Sequence, residues 1–127
     1  MVNKIAVMQM AQAMATHAGL RQTAVSQNIA NADTPGYKAR DVADFATTYD
    51  SAAGATLKAT RSAHLGGSGV FQASIAQTET SGVQSPTGNN VSIEDEMVRA
   101  VDIKRQHDLA LTIYKSSMNV LRTSLGR

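Results

Sequence analysis

Cysteine and tryptophan are absent from the 127 residues, and only two prolines occur. Without cysteine there is no disulfide framework, thiolate metal site or thiol nucleophile, and either a reducing or an oxidising compartment is compatible. Aromatic residues are scarce as well, at 4% of the chain against 43% hydrophobic in total. Much of the apolar fraction is therefore alanine, which buries little area per residue. A self-sufficient globular core is not expected, and the chain is expected to order fully only when neighbouring copies supply apolar surface.

Neither charge nor hydropathy marks out a nucleic acid or membrane protein. Twelve basic residues against ten acidic ones give a formal charge of +2. Lys4, Lys38, Arg40, Lys58 and Arg61 are scattered, with no basic run interleaved with aromatics to track a phosphate backbone. No stretch approaches the ~20 apolar residues of a spanning helix. Lys4, Gln9 and Gln12 interrupt the segment 1–14, and no small-residue cleavage site follows a continuous apolar run, so a signal peptide is not predicted. Export, if it occurs, is expected to use a route without a cleaved leader.

What is present is helix at both ends. Residues 3–31 lack proline, hold the single Gly19, and are rich in Ala, Met and Gln, which predicts one long helix. Val7, Ala11, Met14, Ala18, Val25 and Ala32 recur at alternating spacings of four and three, with Arg21 and Asn28 as polar members of the same stripe. Asn31, which tolerates the left-handed conformation, and Thr34, which precedes Pro35, predict the stop. Pro35-Gly36 suits the centre of a type II turn.

A second helix is predicted from Ser92, where Ser92 and Asp95 resemble a capping box, to the C-terminus. Met97, Ala100, Lys104, His107, Leu111, Tyr114, Met118, Leu121 and Leu125 form its coiled-coil-like stripe. Glu94, Asp95 and Glu96 in the first turn and Arg122 and Arg127 near the end match the helix macrodipole. Two helices of this length, about 45 Å each at 1.5 Å per residue, can lie antiparallel.

The predicted fold is therefore mainly α: one module over residues 1–127, with the N-terminal helix and turn in 1–34, an irregular or weakly β connector in 35–90, and the C-terminal helix in 91–127. Gly54, the run Gly66-Gly67-Ser68-Gly69, Gly82, Pro86 and Gly88 break the connector. Phe45 and Tyr49 are expected to face one way on a short turn. A short hairpin pairing 56–65 with 70–75 is one reading of the rest, and a flexible linker is the other.

No catalytic or metal-binding constellation emerges. His17, His64 and His107 sit on separate elements with no metal-ligand spacing. His107 and Lys104 read as polar breaks that fix helix register. Consecutive Glu94, Asp95 and Glu96 point in different directions, unlike the paired carboxylates of a glycosidase. The glycine run lacks the Lys-Ser/Thr of a phosphate loop, and no serine has the context of a nucleophile elbow. The methionines read as packing groups, and no cofactor, metal or small-molecule substrate is expected.

Against this background, the run from Ser26 to Lys38, containing Asn28, Ile29, Ala30, Asn31, Asp33, Thr34, Pro35, Gly36 and Tyr37, resembles the N-terminal motif of the flagellar rod and hook axial family. Gly88-Asn89-Asn90-Val91, with Glu94 and Glu96-Met97, resembles the start of that family's C-terminal helix. Within the family, Phe45 after the motif, Leu57-Lys58-Ala59-Thr60 and His64-Leu65 resemble the B type of proximal rod subunit. The C type usually carries Ala-x-Arg-x-Tyr-Gln-Ala-Asn in its last helix, and here 100–109 differ.

The resemblance implies a non-enzymatic subunit, exported uncleaved through the flagellar type III apparatus. It further implies assembly into the rod that crosses the periplasm and carries torque from motor to hook. The implied partners are further copies of the chain, other rod subunits, the rod-base adaptor at the membrane ring and the export apparatus. Asn28 and Asn31 are linked in the family to export recognition, whereas capping and turn-locking bonds are the physical expectation for them. A peptidoglycan-remodelling enzyme is the alternative from another class, and a C-type or hook subunit is the alternative within the family.

Overall fold

The computed structural model describes residues 2–54, 71–77 and 83–126. In chain order the elements are α1 (Val2–Ala30), β1 (Arg40–Val42), α2 (Phe45–Gly54), β2 (Ile75–Gln77) and α3 (Ile93–Ser124). α1 and α3 run antiparallel. Asn89, just before α3, bonds to the carbonyl of Asn31, just after α1, while Gln106 within α3 meets Arg21 within α1.

The start of α3 follows its sequence closely. Ser92 is the N-cap in extended conformation, and its hydroxyl accepts from the Asp95 N–H at 3.4 Å. Three acidic residues occupy the first turn and Arg122 the last, opposite the partial charges of the helix ends. α1 has no such charges at either end. Its last turn is closed by Asn31, whose N–H and side-chain amide both donate to the Gln27 carbonyl, at 3.1 and 2.8 Å. Asn31 does not take the left-handed conformation expected of it, because this side-chain bond satisfies the terminal carbonyl without reversing the backbone. Positive φ is confined, among the described residues, to Gly36, Gly88 and Gly126.

β1 and β2 form a two-stranded antiparallel sheet in which Arg40 faces Gln77 and Val42 faces Ile75. The expected hairpin is thus replaced on one side: Ile75 pairs with β1, and residues 56–65, its expected partner, lie outside the described residues along with the glycine run and His64. β1 is held against α1 by Asn28, so its free edge is already in place to pair. Phe45 and Tyr49 lie on ten residues of helix, longer than the single turn expected, and their rings stack at 5.4 Å.

Among the described residues, six of the nine buried apolar ones are alanines, so the seam between α1 and α3 is close but thin. Its centre is Ala18, Val25 and Ile103, with Ala100 against them. Small side chains allow close helix approach and bury little area, so hydrophobic stabilisation per residue is low. The buried row of α3 is Glu96, Ile103 and Ala110. The stripe expected for assembly lies beside this row. Ala100, His107, Tyr114 and Leu121 are partly covered, but Met97, Leu111 and Leu125 stay 60%, 38% and 71% exposed. α3 carries apolar residues over a wider arc than the narrow, alanine-lined face of α1 can cover, and α1 settles one heptad column to the side.

Candidate functional site

Two features bear on function: a polar clasp at one end of the helix pair, and uncovered helix surface toward the other. The clasp is built by the Asn28–Tyr37 segment. Asn28 is fully buried. Its side-chain carbonyl accepts from the Arg40 N–H at 2.9 Å and from the Tyr37 hydroxyl at 3.1 Å, and its amide donates to the Arg40 carbonyl at 2.8 Å. A buried polar group is stable only when so paired, and here one side chain joins α1, the turn and β1.

Thr34 to Tyr37 forms a tight turn, closed by the Tyr37 N–H to the Thr34 carbonyl at 3.3 Å with Gly36 at φ +73°. These values fit a type II turn with glycine at its third position. A second turn, Ser85 to Gly88, packs against it. The Gly88 N–H donates to the Ser85 carbonyl, the Ser85 N–H to the Asn89 carbonyl, and the Gly36 N–H to the Thr87 carbonyl. A Cβ on Gly88 would lie 3.5 Å from the Gly36 Cα, so the two turns meet backbone to backbone.

Asn89 locks the pair. Its amide nitrogen lies 2.8 to 2.9 Å from the carbonyls of Asn31, Ala32 and Thr34, and its side-chain oxygen accepts the Val91 N–H. The Asn90 side chain accepts from the Ala39 N–H, and the Lys38 ammonium donates to the Gly88 carbonyl at 2.9 Å. Asn28, Asn31, Thr34, Gly36 and Tyr37 are thus brought together with 85–91. Ile29, Ala30, Asp33 and Pro35 of the same motif remain exposed.

Below the clasp, Arg21 on α1 pairs with Asp41 on β1 at 3.2 Å and reaches Gln106 on α3 at 3.4 Å. His17, 2% exposed, donates through Nε2 to the Ala43 carbonyl at 2.7 Å and meets Phe45 and Phe71 edge-on. Since a carbonyl only accepts, Nε2 carries the proton. Glu96 is buried with one carboxylate oxygen on Arg99 at 3.0 Å and the other without a hydrogen-bond partner. Sequence reasoning missed the roles of Asn89, His17 and buried Glu96. Only Asn89 had a visible signal, the Ser-Pro-Thr-Gly turn immediately before it.

Of the stripe residues on α1, Ala11, Ala18 and Val25 are buried, Met14 is half-buried and Val7 is exposed. On α3, Ala100, Tyr114, Met118 and Leu121 are half-buried. Toward the far end of the pair packing gives out: among the described residues, none of 3–10 and none of 111–126 is buried. Ile5, Val7, Met10, Leu111 and Val120 there are all at least 38% exposed. Among the described residues there is no grouping of acidic or histidine side chains fit for a metal, and no helix long and apolar enough to cross a membrane.

Comparison with known proteins bears on the same segments. The family described as Flagella basal body rod protein matches residues 8–38, which hold most of α1 and the motif half of the clasp. The flagellar basal body rod protein FlgB of Agrobacterium fabrum is 32% identical, across 97% of this chain and 95% of its own. FlgB of Salmonella typhimurium is 33% identical over 80% of this chain and 83% of its own, and FlgB of Aquifex aeolicus 35% over 79% and 77%.

Proposed function

This chain belongs to the FlgB family of flagellar basal body rod proteins and is a structural subunit of the proximal rod, and we propose that it acts without enzymatic activity, as a stiff segment that passes torque along the shaft. Its site of action is the flagellar basal body. In this reading it leaves the cytoplasm through the flagellar type III apparatus without loss of a leader. It then packs in the periplasm against further copies, the other rod subunits and the rod-base adaptor.

The observation that carries this reading is the uncovered far half of the helix pair. Apolar helix surface that the chain cannot bury by itself is stable only when neighbours cover it. Heterologous contacts between identical subunits whose rotation does not close generate open helical assemblies, the geometry of a rod. The clasp supports a structural role for Asn28 and Asn31, since every polar atom of Asn28 is engaged within the chain.

Circular dichroism and sedimentation of the purified chain test the reading. Helicity that rises with concentration or on adding rod partners is expected. A monomer whose helicity changes neither with concentration nor on adding rod partners would count against it. In the host, deleting the gene is expected to stop rod assembly beyond the base, seen as missing hook–basal bodies; normal basal bodies would contradict the proposal.

A further inference from the structure

Two heptad columns of α3 face α1, one buried through Ile103 and Ala110 and one half-buried through Ala100, Tyr114 and Leu121. The next column runs through Met97, Lys104, Leu111, Met118 and Leu125, of which only Met118 is half-buried and the others are exposed. Beside it, over the packed seam, lies an open groove of about 490 Å³, bounded by Gly19 and Gln22 of α1 and Ala100, Lys104 and His107 of α3. Gly19 is the only glycine inside α1, it is exposed, and a Cβ built on it meets nothing within 4 Å. Glycine in a helix interior is less stable than alanine, and nothing within the chain requires it here. A groove wall without a side chain does serve a second helix, because interaxial distance falls with the size of the side chains at the crossing.

The opposite flank of α3 bears a second set of uncovered residues, Val98, Leu109 and Val120, at 64%, 51% and 42% exposure. Their eleven-residue spacing returns to nearly the same face of a helix. Charge differs between the flanks. Lys104, Lys115 and Arg122 with Asp108 lie along the groove side, a net positive edge, and Asp95 and Asp102 with Arg105 along the other, a net negative one. Lys104 and Asp102 are held only by exposed pairs within their own helix, to Asp108 and Arg105, which a closer partner can replace.

We propose that the Gly19 groove of one copy receives the Val98–Leu109 flank of α3 from a second copy, with Asp102 of the incoming helix beside Lys104, an inference that rests on the rod-subunit reading. Groove and flank lie on different sides of the same helix. Each copy therefore offers one of each, so the contact is heterologous and can repeat from copy to copy.

The native chain has no cysteine, so Gln22→Cys and Leu109→Cys chains carrying different tags, co-expressed in the host in place of the native chain, report contacts between copies alone. In isolated basal bodies the mixed disulfide is expected in excess over that of the control pair Gln22→Cys with Asp50→Cys. Its absence from basal bodies that contain the chain, or capture of a different protein by Gln22→Cys in its place, overturns the docking and leaves the rod-subunit reading standing. Basal bodies that lack the chain altogether overturn both. Substitutions at Gly19 add a readout that a role within the monomer does not give. Gly19→Ala is expected to raise the thermal midpoint of the isolated chain while lowering the yield of assembled rods, and Gly19→Met to abolish assembly with the isolated chain still folded. Normal assembly by Gly19→Met overturns the proposal.

Discussion

Asn28 holds Arg40 by both of its backbone groups, accepting the N–H and donating to the carbonyl, as a neighbouring strand would. One amide side chain thereby takes the place of a strand on the α1 side of β1 and leaves the other edge for β2. We predict that Asn28→Ala, which leaves two buried backbone groups and the Tyr37 hydroxyl unpaired, lowers stability by about 2–4 kcal/mol. Asn28→Asp keeps the acceptor but sets a carboxylate oxygen against the Arg40 carbonyl, and should be as damaging. Urea unfolding of the three proteins checks this, and an Asn28→Ala chain as stable as the parent would refute it.

Asn31 should matter less. Its side chain closes the last turn of α1 from a half-buried position, so Asn31→Ala is expected to cost ~1 kcal/mol or less, whereas Asn89→Ala frees three carbonyls of the clasp and should exceed it. In cells, Asn31→Ala is predicted to weaken rod assembly before it weakens export. Counting basal bodies alongside secreted chain separates the two, and normal rods with blocked secretion would reverse the order.

The two facing glycines give a third expectation. Gly36 and Gly88 have φ of +73° and +85°, where a side chain is strained, so alanine at either should cost about 1–2 kcal/mol. Gly19, at ordinary helical φ, should respond with the opposite sign. Thermal unfolding of the three alanine variants side by side decides it, and a common direction of shift would be the wrong result.

Arg21 and Asp41 form a partly shielded pair, with side chains 20% and 19% exposed. A double-mutant cycle with Arg21→Met and Asp41→Asn is predicted to give a coupling of ~1 kcal/mol, reduced in high salt because the pair is only partly buried. Zero coupling at low salt would mean that Arg21 acts through Gln106 alone.

His17 anchors the connector rather than the helix pair. His17→Ala should remove the bond to Ala43 and the edge contacts to Phe45 and Phe71, and accelerate amide exchange in α2 while leaving the protected centre of α3 unchanged. Uniformly faster exchange along the chain would show that His17 supports the whole fold.

The two terminal helices and the turn at Pro35-Gly36 were legible because each rests on local rules: helix propensity, capping by Ser92 and the conformational freedom of Gly36. The buried column of α3 was not. Heptad spacing shows where large apolar residues recur, but which columns are covered depends on how wide a face the partner presents, and α1 presents mostly alanine. The strand pairing was equally hidden, since Ile75 finds β1 through a bond made by Asn28, far away in the chain. Residues of the motif could be picked out from the sequence, but not the fact that Asn89 would complete them.

One consequence follows from the partner of α1 being the final long element of the chain. No contact between the helices, and none of the bonds from Asn89, can form until the whole connector has followed α1, so the pairing is dominated by large sequence separation. Loop closure on that scale delays folding relative to helical proteins whose neighbours in sequence pack together. During synthesis the leading segment must therefore wait, unpaired, for the trailing one, and the time in that state is set by the length of the connector as much as by the strength of the final contacts.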